Sequence, residues 1–77
     1  MLNYKEIGER VKKARRIEGI TQATLAELAD ISNTYISRIE RGVKKASLES
    51  LAKISRILHI SIDGLVFGSD AAINQLD

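Results

Sequence analysis

Four polar side chains lie close together in one short segment: Asn33, Thr34, Ser37 and Arg38. Their spacing places them on one side of a helix. When such a helix enters the major groove of DNA, an amide can pair with adenine and a guanidinium can pair with guanine. We therefore predict that these four side chains contact base edges. Polar residues at a helix start also act as caps, but Ser32 already suits that role.

A second set of polar and basic side chains surrounds this segment, and we predict that it contacts DNA phosphates: Thr21, Gln22, Tyr35, Arg41, Lys44 and Lys45. Gln22 opens the preceding helix, where free backbone N–H groups and the helix dipole attract phosphate. The alternatives are an ordinary exposed glutamine, solvated lysines, and a tyrosine that packs in the core. Phosphate contacts would add affinity without base preference.

Apolar residues that recur at three- and four-residue steps predict an all-α domain of five helices and no sheet. Helix two is predicted at about residues 22–29 and helix three at about residues 33–41. Helices two to five are preceded by residues that suit an N-cap: Thr21, Ser32, Ser47 and Ser61. The apolar side chains of the first four helices that are predicted to face inward are Tyr4, Ile7, Val11, Ala14, Ile17, Leu25, Ala26, Leu28, Ala29, Ile36, Ile39, Leu48, Leu51, Ile54, Ile57 and Leu58.

The sharp turn between helices two and three falls at Asp30. Aspartate tolerates the left-handed backbone conformation better than most residues, although less well than glycine. Because the chain must reverse within a few residues, we predict a positive φ at Asp30.

The composition sets bounds on domain number and on partners. The 77 residues make one small domain, and the net charge of +2 is unevenly spread, with +4 in residues 41–58 and −3 in residues 59–77. Positive charge beside the two helices suits a nucleic-acid surface, although a charge run is often only a solvated face. Residues 1–68 are predicted to form the domain, and residues 69–77 are predicted to form a frayed tail or a short helix.

Several classes of protein are not expected. The sequence has no cysteine, and His59 is its single histidine, so neither a disulfide framework nor a metal site is expected. We interpret that histidine as structural, since no nucleophile or orienting group accompanies it in the sequence. The first residues do not resemble a signal peptide, and no apolar run approaches membrane-spanning length. We therefore expect a cytoplasmic protein that is not an enzyme, with no cofactor, no small-molecule ligand and no membrane partner.

Five stretches of the chain, in this order, resemble the phage-repressor and Cro family of helix-turn-helix domains, also called xenobiotic-response-element-like. They are residues 7–15 (IGERVKKAR), 19–22 (GITQ), 25–29 (LAELA), 31–42 (ISNTYISRIERG) and 47–51 (SLESL). The resemblance extends over about residues 4–68 and implies a five-helix fold and sequence-specific DNA binding. Members of that family are mostly bacterial or phage transcription regulators that bind operators as dimers. The implied partners are therefore double-stranded DNA and a second copy of the chain.

The resemblance also implies roles for three residues. In that family, the glutamine that matches Gln22 contacts a phosphate and supports the recognition helix, and the residues that match Arg15 and Glu40 form a partly buried ion pair. Charge considerations agree, because Glu40 lies near the C-terminal end of helix three, where a negative charge is unfavourable unless a cation is close. The sequence departs from the family at Asp30, where glycine is usual.

A homodimer needs a surface away from the DNA-facing helices, and the C-terminal end of the domain offers one. An apolar run there, uncharged apart from Asp63, is too dense for one short helix to bury alone. We predict that the interface contains Ile62, Leu65, Val66 and Phe67, with Phe67 at or near the two-fold axis.

Two functions from different classes fit the sequence. The leading one is a homodimeric transcription regulator on a palindromic operator, of the kind found among phage-type repressors and restriction–modification controller proteins. The alternative is a protein-interaction module, either an antitoxin or a coactivator that keeps the fold without reading bases. The polar start of helix three favours the first function, because an interaction helix would expose apolar anchors there.

Overall fold

The computed structural model describes residues 2–68, and within them the chain forms five helices and no strand. The helices are α1 (Tyr4–Ile17), α2 (Gln22–Ala29), α3 (Asn33–Arg41), α4 (Leu48–Leu58) and α5 (Ile62–Phe67). The predicted all-α class and the predicted bounds of α2 and α3 are confirmed. The tail predicted for residues 69–77 lies outside the described residues. No helix in residues 2–68 combines the length and the apolar character that crossing a membrane requires.

Each helix begins after a side chain that accepts a hydrogen bond from a backbone N–H of its first turn. The four predicted N-caps are confirmed, and they are Thr21, Ser32, Ser47 and Ser61. Sequence reasoning missed a fifth cap, Asn3, whose side-chain oxygen accepts from the Glu6 N–H at 3.0 Å. An asparagine directly before an apolar helical stripe is itself a start signal. Each such cap contributes roughly 1 kcal/mol of stability.

Within residues 2–68, two residues other than glycine adopt the left-handed conformation, and each ends a helix. Asp30 ends α2 with φ 56°, so the predicted positive φ is confirmed. His59 ends α4 with φ 58°, which sequence reasoning did not foresee. Its exposed ring places Nδ1 3.3 Å from Oε1 of Glu18 at the end of α1. The structure therefore places His59 at the end of a helix, and its structural role stays an interpretation.

All five helices contribute to one core. At least one side chain from each is completely or almost completely buried, and these side chains are Ile7, Val11, Leu25, Ile36, Ile39, Ile54 and Leu65. Burial of such a side chain stabilises the fold by about 1.5–3 kcal/mol. The core therefore fixes α1 and α3 against each other, with α2, α4 and α5 packed around them.

Three apolar residues predicted to face inward are instead exposed: Ile17, Leu28 and Leu48. Ile17 and Leu48 are the last residue of α1 and the first residue of α4, where neighbouring helices no longer cover the apolar stripe. Leu28 lies to one side of the face of α2 that Leu25 and Ala29 bury. Periodicity correctly predicted which face of each helix is buried, but it included residues at the edges of that face that are exposed.

The backbones of α1 and α3 come into direct contact at Gly8. A Cβ atom at this position would lie 2.1 Å from the carbonyl oxygen of Ile39 and 2.8 Å from that of Glu40. Real side chains do not approach a carbonyl oxygen so closely, so only glycine allows this separation of the two helices. Gly8 thus sets how closely α3 lies against α1.

Gly8→Ala is expected to lower the free energy of unfolding by about 3 kcal/mol, at the upper end of overpacking costs, because its methyl group meets backbone atoms that cannot rotate away. Gly19→Ala is the matched control, since Gly19 has φ 74° and an added methyl group there would have no neighbour within 4 Å. It should lose only about 1–2 kcal/mol, the cost of left-handed backbone for alanine. Urea unfolding measures both, and equal losses would contradict the steric role of Gly8.

Candidate nucleic-acid interface

Helix α3 has one buried side and one polar side. Ile36 and Ile39 are completely or almost completely buried in the core. Asn33, Thr34 and Arg38 are exposed. Together with Ser37, which is half-buried, these three residues form what we call the polar face of α3. The structure therefore brings the four side chains predicted to contact bases onto one surface, while their contact with bases stays a prediction.

The turn between α2 and α3 determines how that polar face is presented. After the left-handed residue Asp30, the N–H of Ile31 donates to the carbonyl oxygen of Ala26 at 2.9 Å. A hydrogen bond from an N–H group to the carbonyl five residues earlier is typical of the Schellman motif, which ends a helix. In this motif, the residue after the left-handed one often makes an apolar contact with the helix. Ile31 is indeed half-buried against the core. The turn is therefore a rigid connection and not a loose linker.

Arg15 and Glu40 form the predicted ion pair between α1 and α3. Nε of Arg15 lies 2.7 Å from Oε2 of Glu40, and Nη2 lies 3.1 Å from Oε1. The two side chains are only 11% and 2% exposed. The remaining guanidinium nitrogen, Nη1, donates to the carbonyl oxygen of Ile20 at 2.8 Å. This two-point contact confirms the expected pair and fixes the end of α3 to α1.

Gln22 joins α2 to the same carboxylate. Its amide Nε2 donates to Oε1 of Glu40 at 2.9 Å, so Glu40 accepts hydrogen bonds from both neighbouring helices. The supporting role implied for Gln22 is therefore present in the structure. Its contact with a phosphate stays a prediction, as does that of Thr21, whose exposed hydroxyl caps α2 through the N–H of Thr24 at 3.0 Å.

Tyr35 packs its ring against the core and holds the loop after α3 with its hydroxyl group. The hydroxyl accepts from the N–H of Ser47 at 3.1 Å and donates to the carbonyl oxygen of Lys45 at 3.4 Å. Partial burial raises the pKa of the Tyr35 hydroxyl, but hydrogen bonds with Ser50 and Ser47 and the charge of Lys44 outweigh it, so that pKa is lowered overall. The ring of Tyr35 therefore packs against the core, which was one of the two alternatives. Contact of its hydroxyl group with a phosphate stays a prediction.

Three further cations lie close to the end of α3. Arg41, Lys44 and Lys45 are all exposed, and Nζ of Lys45 lies 5.8 Å from the centre of the Tyr4 ring. Arg41 is the last residue of α3, and Gly42, with φ 77°, ends the helix just before the loop that carries Lys44 and Lys45. The positions of the three cations agree with phosphate contacts, which remain predicted.

Residues 11–65 match the protein family described as "Helix-turn-helix". The chain belongs to this helix-turn-helix family. Its characteristic unit here is α2, the turn at Asp30, and α3.

Two helix-turn-helix relatives show the likeness in sequence. The transcriptional regulator SinR of Bacillus subtilis is 36% identical over 61 residues, which cover 78% of this chain and 55% of SinR. The immunity repressor of Bacillus phage phi105 is 33% identical over 69 residues, which cover 90% of this chain and 47% of the repressor. The chain therefore spans about half the length of these two relatives.

Solved helix-turn-helix structures show the likeness in three dimensions. The restriction–modification controller protein C.AhdI from Aeromonas hydrophila has a TM-score of 0.77 at 31% identity, covering 80% of this chain and 94% of that chain. SinR in complex with DNA has a TM-score of 0.73 at 37% identity, covering 77% of this chain and 95% of that chain. The arrangement of helices is shared across these proteins.

The residues predicted at the dimer interface do not all reach the surface. Leu65 is completely buried in the chain's own core, so its side chain has no surface to offer a partner, and its assignment to the interface was wrong. Ile62 and Val66 are half-buried, and Phe67 is 65% exposed. Of the four residues predicted at the interface, these three are the ones that offer surface to a second copy, and their contact with it stays a prediction.

Glu40→Ala is expected to lower the free energy of unfolding by about 3–5 kcal/mol, because it leaves the guanidinium of Arg15 buried without its charge partner. The double variant Arg15→Met/Glu40→Leu should recover most of this loss, since two apolar side chains can replace a buried pair. Urea unfolding of each variant measures the effect.

Glu49→Ala supplies the control for that comparison. It removes an exposed pair in which Nζ of Lys53 lies 3.6 Å from Oε2 of Glu49. Exposed pairs contribute about 0–1 kcal/mol. A loss in Glu40→Ala as small as that in Glu49→Ala would contradict the structural role of the buried pair.

Proposed function

We propose that this chain is a sequence-specific DNA-binding transcription regulator that acts as a homodimer on a palindromic operator. The observation that supports it most directly is the polar face of α3 on a helix whose other side is locked into the core. A side chain can discriminate bases only if the helix that carries it has a fixed position in the groove. The contacts of Glu40 with α1 and α2 supply that fixed position.

The charge of the surrounding surface supports the same function. Arg41 is the last residue of α3, Lys44 and Lys45 lie in the loop that follows it, and all three are exposed. Cations beside a groove-reading helix neutralise phosphates, which supplies affinity and fixes the register on the duplex. A relative, SinR, has been crystallised in complex with DNA.

A dimer through α5 agrees with this arrangement. One recognition helix reads too few base pairs to define a genomic site, so a two-fold pair on two half-sites is the expected solution. Helix α5 packs against α1 and α4, which leaves the polar face of α3 available to DNA. Ile62 and Val66 lie one turn apart, and Phe67 exposes most of its ring beside them. We expect the two recognition helices to lie about 34 Å apart.

The relatives include both an immunity repressor and a restriction–modification controller protein. We propose a repressor or a controller as the regulatory type on this ground. An antitoxin or coactivator role has less support, because the exposed residues of α3 are polar and offer no apolar anchor for a protein partner.

Selection of binding sites from random duplex DNA, followed by Arg38→Ala, tests base reading. We expect Arg38→Ala to relax base preference at one position in each half-site and to weaken specific binding by about 1–3 kcal/mol. The reason is that a guanidinium can pair with both acceptors of guanine, whereas alanine cannot. An unchanged preferred site in Arg38→Ala would contradict the assignment of Arg38 to base reading.

Lys45→Ala is the matched control for that experiment, since it also removes an exposed cation. It should weaken binding to all sequences equally and reduce the slope of log affinity against log salt concentration by about one. Titrations at several salt concentrations separate this uniform loss from the loss of specificity in Arg38→Ala.

Phe67→Ala is expected to raise the dimer dissociation constant by more than about tenfold, because burial of a phenylalanine side chain contributes about 1.5–3 kcal/mol. The monomer should remain folded, since the ring lies outside the core. Binding to a full operator should weaken with dimerisation, whereas binding to one half-site should not. Sedimentation equilibrium measures the first effect.

Leu48→Ala is the control, because Leu48 is also a large exposed apolar residue but lies at the start of α4. It should leave the dimer unchanged. A native chain that is monomeric at tens of micromolar and still binds its operator fully would overturn the proposed dimer.

A further inference from the structure

Arg10 connects α1 to the C-terminal end of α5. Its Nη1 donates to the carbonyl oxygens of Val66 at 2.9 Å and Leu65 at 3.2 Å. Its Nη2 lies 3.1 Å from Oε1 of Glu6, one turn earlier on α1. The side chain is only 27% exposed, so these contacts are partly shielded from water. No role in the fold or in DNA binding described above requires this arrangement.

Helix α5 needs such support because it is short. It has 6 residues, and its last carbonyl groups have no partner within the helix. The N–H of Gly68 satisfies the carbonyl of Gly64 at 3.0 Å. Arg10 satisfies the next two carbonyls, and a cation at this end of a helix also interacts favourably with the helix dipole. Arg10 therefore anchors the last turn of α5 to α1.

Gly68 shows how closely the chain passes over the guanidinium. A Cβ atom at Gly68 would lie 2.7 Å from Nε of Arg10, and Gly68 also has φ 67°. The left-handed backbone favours glycine at this position, and a larger residue would displace the guanidinium of Arg10. The backbone at the end of α5 therefore lies directly against the guanidinium of Arg10.

We infer that Arg10 is a positioning residue for the proposed dimer: it fixes the last turn of α5 and with it the place of Phe67. The inference rests on the proposed dimer through α5. The buried side chain of Leu65 anchors the middle of the helix, but the ring of Phe67 is exposed, so its place depends on the backbone that carries it. Hydrogen bonds to the carbonyls of Leu65 and Val66 hold that backbone.

The first test compares Arg10→Met with Lys13→Met. Methionine keeps an unbranched side chain and removes the charge and the donors. Lys13 lies nearly one turn further along α1, and both it and Arg10 line a groove that α1 forms with α5. Arg10→Met should raise the dimer dissociation constant about tenfold and weaken full-operator binding, while half-site binding stays as in the native chain. Lys13→Met should leave the dimer unchanged.

The second test does not depend on dimerisation. Amide hydrogen exchange at Gly68 reports opening of the last turn of α5, because that N–H bonds to the carbonyl of Gly64. In dilute monomer, exchange at Gly68 should be at least about tenfold faster in Arg10→Met than in the native chain or in Lys13→Met. Exchange in the core, at Ile54 for instance, should not change.

The outcomes separate this inference from the proposed function. If Phe67→Ala weakens the dimer but Arg10→Met behaves like Lys13→Met, the role of Arg10 is overturned and the dimer stands. If Phe67→Ala has no effect, the dimer through α5 is overturned, and the positioning role fails with it. Unchanged exchange at Gly68 in Arg10→Met would overturn the inference whatever the oligomeric state.

Discussion

The two-point contact between Arg15 and Glu40 is the constraint on which the arrangement of the first three helices depends. Apolar packing is non-directional, so a core of isoleucine and leucine side chains tolerates small rotations of one helix against another. A buried carboxylate restricts such rotations more strongly, since both of its oxygens must keep their hydrogen-bond partners. Glu40 takes those partners from α1, through Arg15, and from α2, through Gln22. Gly8 complements this by setting the separation of α1 and α3.

Local chemistry was sufficient to predict most of the fold. N-caps such as Ser32 and the left-handed residue Asp30 were predictable because each depends on a few neighbouring residues. The ion pair of Arg15 and Glu40 was expected from the family resemblance and from the unfavourable position of a carboxylate at a helix end. For the candidate site, the sequence correctly placed the polar side chains on the exposed side of α3, while what they bind depends on a molecule outside the chain.

Features that depend on contacts with residues distant in the sequence were not predictable. Helical periodicity shows which side of a helix is apolar, but it does not show which of those residues the neighbouring helices cover. For this reason Ile17, Leu28 and Leu48 were wrongly predicted to be buried. Leu65 was assigned to an interface because nothing in the sequence shows that α1 and α4 already enclose it. The contacts of Arg10 join positions 55 and 56 residues apart, beyond the reach of any local pattern.

The polar face of α3 is separate from the interactions that hold the fold. Within residues 2–68, the side chains of Asn33, Thr34 and Arg38 form no hydrogen bond or ion pair with the rest of the chain, and none lies in the core. Stability therefore places little restriction on which side chains occupy these positions. Under the proposed function, such independence lets specificity diverge by a few substitutions on an unchanged scaffold, so that duplicated copies of one gene can acquire different operators without first losing a stable fold.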